Sequence, residues 1–346
     1  MVDLLVLVLA ALCLWGLELA KPFFTGRNED YLSQKNTLAL RGLLALVIIL
    51  GHLAQQVSGG KFFGLLGRSG YLVVAVFFFL SGYGVQRQHM TRSNYAAGFL
   101  KKRIVSLGVP YLVVMAVYWG YYAWQGQLFS PLEVLWSLVN GSPVVRYSWY
   151  ILAVLIFYVG FRLIMALCGK NYGAMVAAGA GWYILYVLFC VLMHYALWWY
   201  ISTLPVVIGM AWAVYEKKIL RFLHKWYYPS VVIAFGVVAA IIVLGDRLGS
   251  TETVEAILKT VATSLFAVGV VLALRKVKLG NPVLNWLGEI SMELYLLQGM
   301  AIMLWRSNSM NIQNDLLYCI LALVTTLALA ASLHYGLKMI MKKPTR

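Results

Sequence analysis

Few side chains in this sequence could do chemistry, and most of those stand in apolar surroundings. An ionisable group there needs a partner, a cavity or a nearby interface, because burying it in lipid is expensive. Arg41 and His52 share one apolar stretch, eleven residues apart. On a helix that spacing leaves them roughly 20° from alignment and about 16 Å apart along the axis. Arg41 supplies a fixed cation, and His52 a group able to exchange a proton near neutral pH. A snorkelling Arg and an interfacial His compete with that reading. Glu289 and Glu293 are also on one face, four residues apart. The deeper Glu293 must be protonated, paired with a buried Arg or His, or lining a polar cavity. Lys101, Lys102 and Arg103 form either a topology anchor beside anionic headgroups or a docking site for a phosphorylated ligand. Phe77–Phe79 reads as lipid-facing bulk. Ser81-Gly82-x-Gly84 reads as close helix packing, or as a place where the helix loosens and Ser81 meets a cavity. His194 and His334 read as structural. Metal-ligand spacing, a nucleophile elbow and a Walker-type loop are all absent from the sequence, so no metal is expected.

The elements that must position these groups follow from composition. Of 346 residues 62% are apolar and only 12% charged, too few polar groups to cover a soluble protein of this size. The fold expected is all-α, a polytopic membrane helix bundle. Hydropathy places about eleven spans, beginning near Leu4, Leu38, Gly70, Ile104, Ser148, Ala174, Tyr195, Ser230, Ile257, Val283 and Asp315. Sorting Lys and Arg by the loops between those spans puts 22 on one side and 6 on the other. The positive-inside tendency then sets the N-terminus outside and the C-terminus in the cytoplasm. Most of the +16 net charge is thereby explained by topology, without nucleic acid as a partner. The first segment starts Met-Val-Asp and carries Glu18, unlike a secretory leader, and reads as a retained helix. Between Gln125 and Tyr147, the apolar spacing of Leu128, Leu132, Leu135 and Trp136 suggests a short helix on the membrane surface, or a lid. Four isolated cysteines indicate neither a disulfide framework nor a zinc site.

Taken in order, the motifs resemble the acyltransferase-3 family. The resemblance rests on Arg41-x10-His52, Phe78-Phe79-Leu80-Ser81-Gly82-Tyr83, and Lys102-Arg103 through Pro110-Tyr111. It continues with Ser148-Trp149-Tyr150-Ile151, Leu204-Pro205 with Gly209-Met210, and Leu287-Gly288 through Ile290-Ser291 to Tyr295-Leu296-Leu297. It covers residues 36 to 342. The family core usually has ten helices, so residues 1–35 are expected to add one helix and a cytoplasmic loop to a membrane domain at 36–346. Two further departures are Ser106, where a second basic residue is often found, and Gln298, where His is common.

The resemblance implies an acyl-CoA donor, most often acetyl-CoA, as a substrate rather than a permanently bound cofactor. It also implies a hydroxyl acceptor on a glycan or glycolipid, and location in a bacterial plasma membrane. Arg41, Ser81, Lys101, Lys102 and Arg103 become donor-binding candidates. His52 becomes a general base or acyl carrier, and Trp149, Glu293 and Tyr295 become candidate cavity residues. Two other readings compete: a transporter or lipid-linked glycan flippase with a polar path through Arg41, His52 and Glu293, and a silent family member serving a polysaccharide-assembly complex.

Overall fold

A computed structural model describes residues 1–22, 25–248 and 251–341, excluding the side chains of 246–248 and 341. Lys342, Lys343 and Arg346, counted above in the basic excess, lie outside the described residues, as does the side chain of Arg247. The chain opens with α1 (Leu4–Leu14) and β1 (Leu17–Leu19), followed by α2 (Asn36–Ala54), α3 (Lys61–Leu66), α4 (Gly70–Thr91) and α5 (Tyr95–Trp124). Next come α6 (Pro131–Val139), α7 (Trp149–Cys168), α8 (Tyr172–Leu192), α9 (Pro205–Leu248) and α10 (Glu252–Leu274). The chain then runs through β2 (Val277–Leu279), α11 (Pro282–Glu289), α12 (Ser291–Trp305) and α13 (Asp315–Met341). The architecture is an all-α polytopic membrane bundle.

Among the described residues eight helices are long and apolar enough to cross a bilayer, and α11 with α12, bent by 79°, makes a ninth. Helix α9 contributes two passes. Its 44 residues would reach about 66 Å if straight, twice a hydrocarbon core of roughly 30 Å. It breaks at Trp226 (φ −105°, ψ 17°), where Pro229 has no N–H for the Lys225 carbonyl. Just before α9, Ser202 donates to the Tyr71 carbonyl at the start of α4. Glu216 meets Arg87 near the end of α4, and Val238 packs back against Leu72. The chain therefore descends along α4 and climbs again.

With α9 taken as two passes these helices make ten, and the first segment, expected as one more span, holds a short apolar helix. Its helix has only 11 residues, because the apolar run turns extended beyond Trp15 and pairs as β1 with β2, antiparallel, Leu17 opposite Leu279. It still links two ends of the bundle. Asp3 accepts from the N–H groups of Lys61, Phe62 and Phe63 at the start of α3, while the Asn281 amide donates to the Leu12 and Trp15 carbonyls.

Two contacts fix α2 and α4, the helices that carry the candidate site. A Cβ on Gly42 would lie 2.1 Å from the Leu284 carbonyl oxygen, and one on Gly288 2.1 Å from that of Leu38, so α2 and α11 touch backbone to backbone. Gly82 and Gly209 bring α4 and α9 equally close. Helix α4 is continuous through Ser81-Gly82-x-Gly84, so this motif serves packing rather than a loosened turn. Phe78 and Phe79 are fully buried, contrary to the lipid-facing expectation. Helix α4 is surrounded by α2, α7, α9 and α10, which leaves those side chains no lipid to face. The surface helix expected after Gln125 is α6, started by Pro131 and a capping box in which Ser130 and Glu133 exchange hydrogen bonds.

Candidate active site

A cavity of about 1000 Å³ opens at the bundle end that holds the start of α2, the end of α4 and the start of α5. Arg41, Ala45 and Ile48, on one face of α2, form a wall of it; Ser81 and Gly84 of α4 and Tyr150, Tyr158 and Tyr295 contribute others. The mouth is cationic. Arg87 from α4, Arg92 just after it, and Lys102 and Arg103 from α5 all line it. Among the described residues, only Arg87 of these has a carboxylate partner, Glu216 at 3.6 Å. Glu216 also accepts from Tyr31 Oη (2.9 Å) and Tyr83 Oη (3.4 Å). Burial holds the Tyr31 phenol well above its ordinary range, so it remains a donor there. Arg103 lies 5.1 Å from the centroid of the Tyr158 ring, whose hydroxyl donates to Ser81 Oγ at 3.4 Å. Deeper in, Arg41 Nε is buried and meets no acceptor among the described residues. A buried guanidinium N–H without an acceptor suits an anionic or carbonyl-bearing ligand.

His52 lies one helical turn beyond Ile48, the last α2 residue that lines the cavity. Its ring stacks on Tyr147, centroids 3.8 Å apart and planes within 9°. Nδ1 is 3.0 Å from Gln298 Oε1. The Gln298 amide nitrogen donates to the Tyr295 carbonyl at 3.0 Å, which turns Oε1 toward the imidazole. Nδ1 therefore carries the proton, and Nε2 presents a lone pair. Tyr295 closes the arrangement. Its hydroxyl donates to the Tyr147 carbonyl and accepts from the Tyr150 N–H. Tyr147 has φ of 66°, the left-handed region, which turns its ring onto His52 while its carbonyl meets Tyr295.

Of the residues expected from sequence, Arg41, Ser81, Lys102, Arg103 and Tyr295 are brought to one cavity and His52 to its end. Three are not. Lys101 is exposed and points away, one step around the helix from Lys102. Trp149 packs against Phe78 and Trp199, and its neighbour Tyr150 lines the cavity instead. Glu293 is buried off the cavity and bonded to His334 Nδ1 at 2.9 Å. A path through Arg41, His52 and Glu293 therefore does not follow this cavity. Gln298, Tyr147, Glu216 and Tyr31 were not anticipated as site residues, and Arg87 and Arg92 were weighed only as topological charges.

The cavity is thus entered from a basic face and stops one helical turn below an oriented imidazole. Residues 39–335 match the profile of an acyltransferase domain, that of the acyltransferase-3 family. The chain belongs to this family and is a membrane acyltransferase. No curated protein and no solved structure matches it.

Proposed function

We propose that the protein takes an acyl group, acetyl in the simplest case, from acyl-CoA at the basic face and delivers it to a hydroxyl of a glycan or glycolipid at the His52 end. The observation that carries this is the continuity of one helix face, along which the cavity climbs past Arg41, Ala45 and Ile48 and stops one turn below His52. A volume of about 1000 Å³ is at the upper end of small-ligand pockets, as a donor of this size needs. Arg87, Arg92, Lys102 and Arg103 suit the donor's phosphates, Arg41 its amide carbonyls, and the apolar upper cavity its thioester arm. The basic face is then cytoplasmic, in a bacterial plasma membrane, where acyl-CoA is at hand.

In the reaction the acceptor oxygen attacks the thioester carbonyl carbon and His52 Nε2 takes the hydroxyl proton. The C–S bond breaks, and the sulfur leaves with its electron pair and receives the proton from the imidazolium. Alternatively Nε2 attacks the thioester carbon first, the C–S bond breaks and the departing thiolate takes the Nδ1 proton of the acyl-imidazolium; the acceptor hydroxyl then attacks the acyl-imidazole, the N–acyl bond breaks and the imidazole takes up the hydroxyl proton. A burst of CoA release without acceptor marks the second route, and its absence the first. The test of the whole reading is transfer of labelled acetyl from acetyl-CoA in proteoliposomes containing candidate glycans. Arg41→Gln is expected to raise the KM for acetyl-CoA about tenfold. Transfer that does not depend on acetyl-CoA, or an unchanged KM, overturns it.

A further inference from the structure

A second cavity, of about 450 Å³, lies at the His52 end between the end of α5, α6 and the chain that follows α6. Tyr122, Phe129 and Trp136 give it aromatic walls, and Arg146 is its cation. The Arg146 guanidinium lies 5.0 Å from the Tyr147 ring centroid, and that ring is the one stacked on His52. The cavity is thus two stacked contacts from the imidazole. Arg146 is absent from every ion pair among the described residues. The cavity's carboxylate, Glu133, is held at 2.6 Å by the Ser130 N–H in the α6 cap. The backbone of Arg146 is pinned: a Cβ on Gly299 would come within 2.9 Å of its carbonyl oxygen and Cβ, so only glycine there lets α12 pack this close.

The outer side of the same wall is apolar. Leu128, Leu132, Leu135 and Trp136 are each more than half exposed. Leu132, Leu135, Trp136 and Val139 follow the i, i+3, i+4, i+7 spacing of a single helical stripe. A stripe of this kind at the end of a membrane bundle sits in the headgroup–acyl boundary, where Trp is favoured. Trp136 belongs both to the stripe and to the cavity lining. The cavity and the lipid therefore share a wall.

We infer that this cavity is the acceptor site and that its acceptor is a membrane-borne amphiphile, with an anionic group held by Arg146, a sugar ring against Trp136 and Tyr122, and its apolar chain in the lipid beside α6. This rests on the acyl-transfer reading for the word acceptor, but the site itself is tested without any donor. The full-length protein in phosphatidylcholine nanodiscs is titrated with labelled octyl glucuronide, octyl glucoside and methyl glucuronide below micellisation, with empty discs subtracted. Octyl glucuronide is expected to bind saturably, and each of the other two about tenfold more weakly or worse. Arg146→Gln is expected to weaken octyl glucuronide about tenfold, Arg146→Lys to restore most of that loss, and Arg68→Gln, which removes an exposed cation at the same end, to leave it unchanged. Arg146→Lys also reports whether loss of binding reflects loss of the fold. Methyl glucuronide binding as tightly as octyl glucuronide overturns the membrane-borne acceptor. Equal binding of the two octyl glycosides, or no effect of Arg146→Gln, overturns the anionic group. Failure of acetyl transfer with this binding pattern intact would instead fall on the acyl-transfer reading alone.

Discussion

Two imidazoles are held by α12 in the same manner and have opposite prospects. His52 of α2 donates from Nδ1 to Gln298, and His334 of α13 has its Nδ1 on Glu293, five residues earlier on the same helix. The partner makes the difference. The Gln298 amide accepts from Nδ1 without adding charge, which leaves the Nε2 lone pair of His52 outside this bond. A carboxylate has no proton of its own to give up when ionised and can carry charge, and Glu293 with His334 forms a part-buried pair that joins α13 to α12 away from the cavity. On the proposed reading, the residue opposite each histidine makes one a base and the other a fastener.

The sharpest way to break this contrast is to delete each ring. His52→Ala is expected to lower transfer about 10²- to 10⁴-fold, while His334→Ala keeps the rate within a few-fold; initial rates on equal amounts of folded protein decide it. Exchanging the partners comes next. Gln298→Glu gives His52 the surroundings of His334 and stores the proton on the base, so kcat at neutral pH should fall about 10²-fold. Gln298→Leu should fall less, since Nδ1 loses an acceptor but the ring stays neutral. Removing the other partner tests the fastener. Glu293→Ala strands His334 and should lower stability by about 3 kcal/mol, seen as a lower Tm, while the double substitution Glu293→Leu with His334→Leu recovers much of it. Smallest of all is Tyr147→Phe, which keeps the stacked ring and should change kcat less than threefold; a larger drop would give the phenol a role of its own.

What could be read from the sequence depended on distance along the chain. Arg41 and His52 share one helix, so geometry alone aligned them, and the cavity follows their face. Gln298 is 246 residues from His52 and, as an amide where the family commonly has His, carried no signal of its own. The pairing of Glu293 with a buried His was one of the alternatives open from sequence, although His334 could not be named as its partner. Trp149 and Tyr150 are adjacent, and a motif containing both does not say which one points inward. The first segment was expected to be helical throughout because a hydropathy average does not see that the chain becomes extended after Trp15. The basic clusters were legible as topology, yet the place of Arg87 and Arg92 at the cavity mouth depends on how the end of α4 and the start of α5 meet there. Tyr147 could not have been found, because its importance comes from a backbone angle.

Helix α2 runs unbroken from Asn36 to Ala54, and backbone hydrogen bonding sets its rise at about 1.5 Å per residue. No side-chain substitution changes the separation of Arg41 and His52. On the proposed reading α2 is a ruler laid beside the donor: a thioester on a stub too short to reach from one mark to the other loses the grip of the first when it arrives at the second. Inserting one residue between them would move the marks apart by only about 1.5 Å but turn one about 100° away from the other, so the scale tolerates almost no change in its own length.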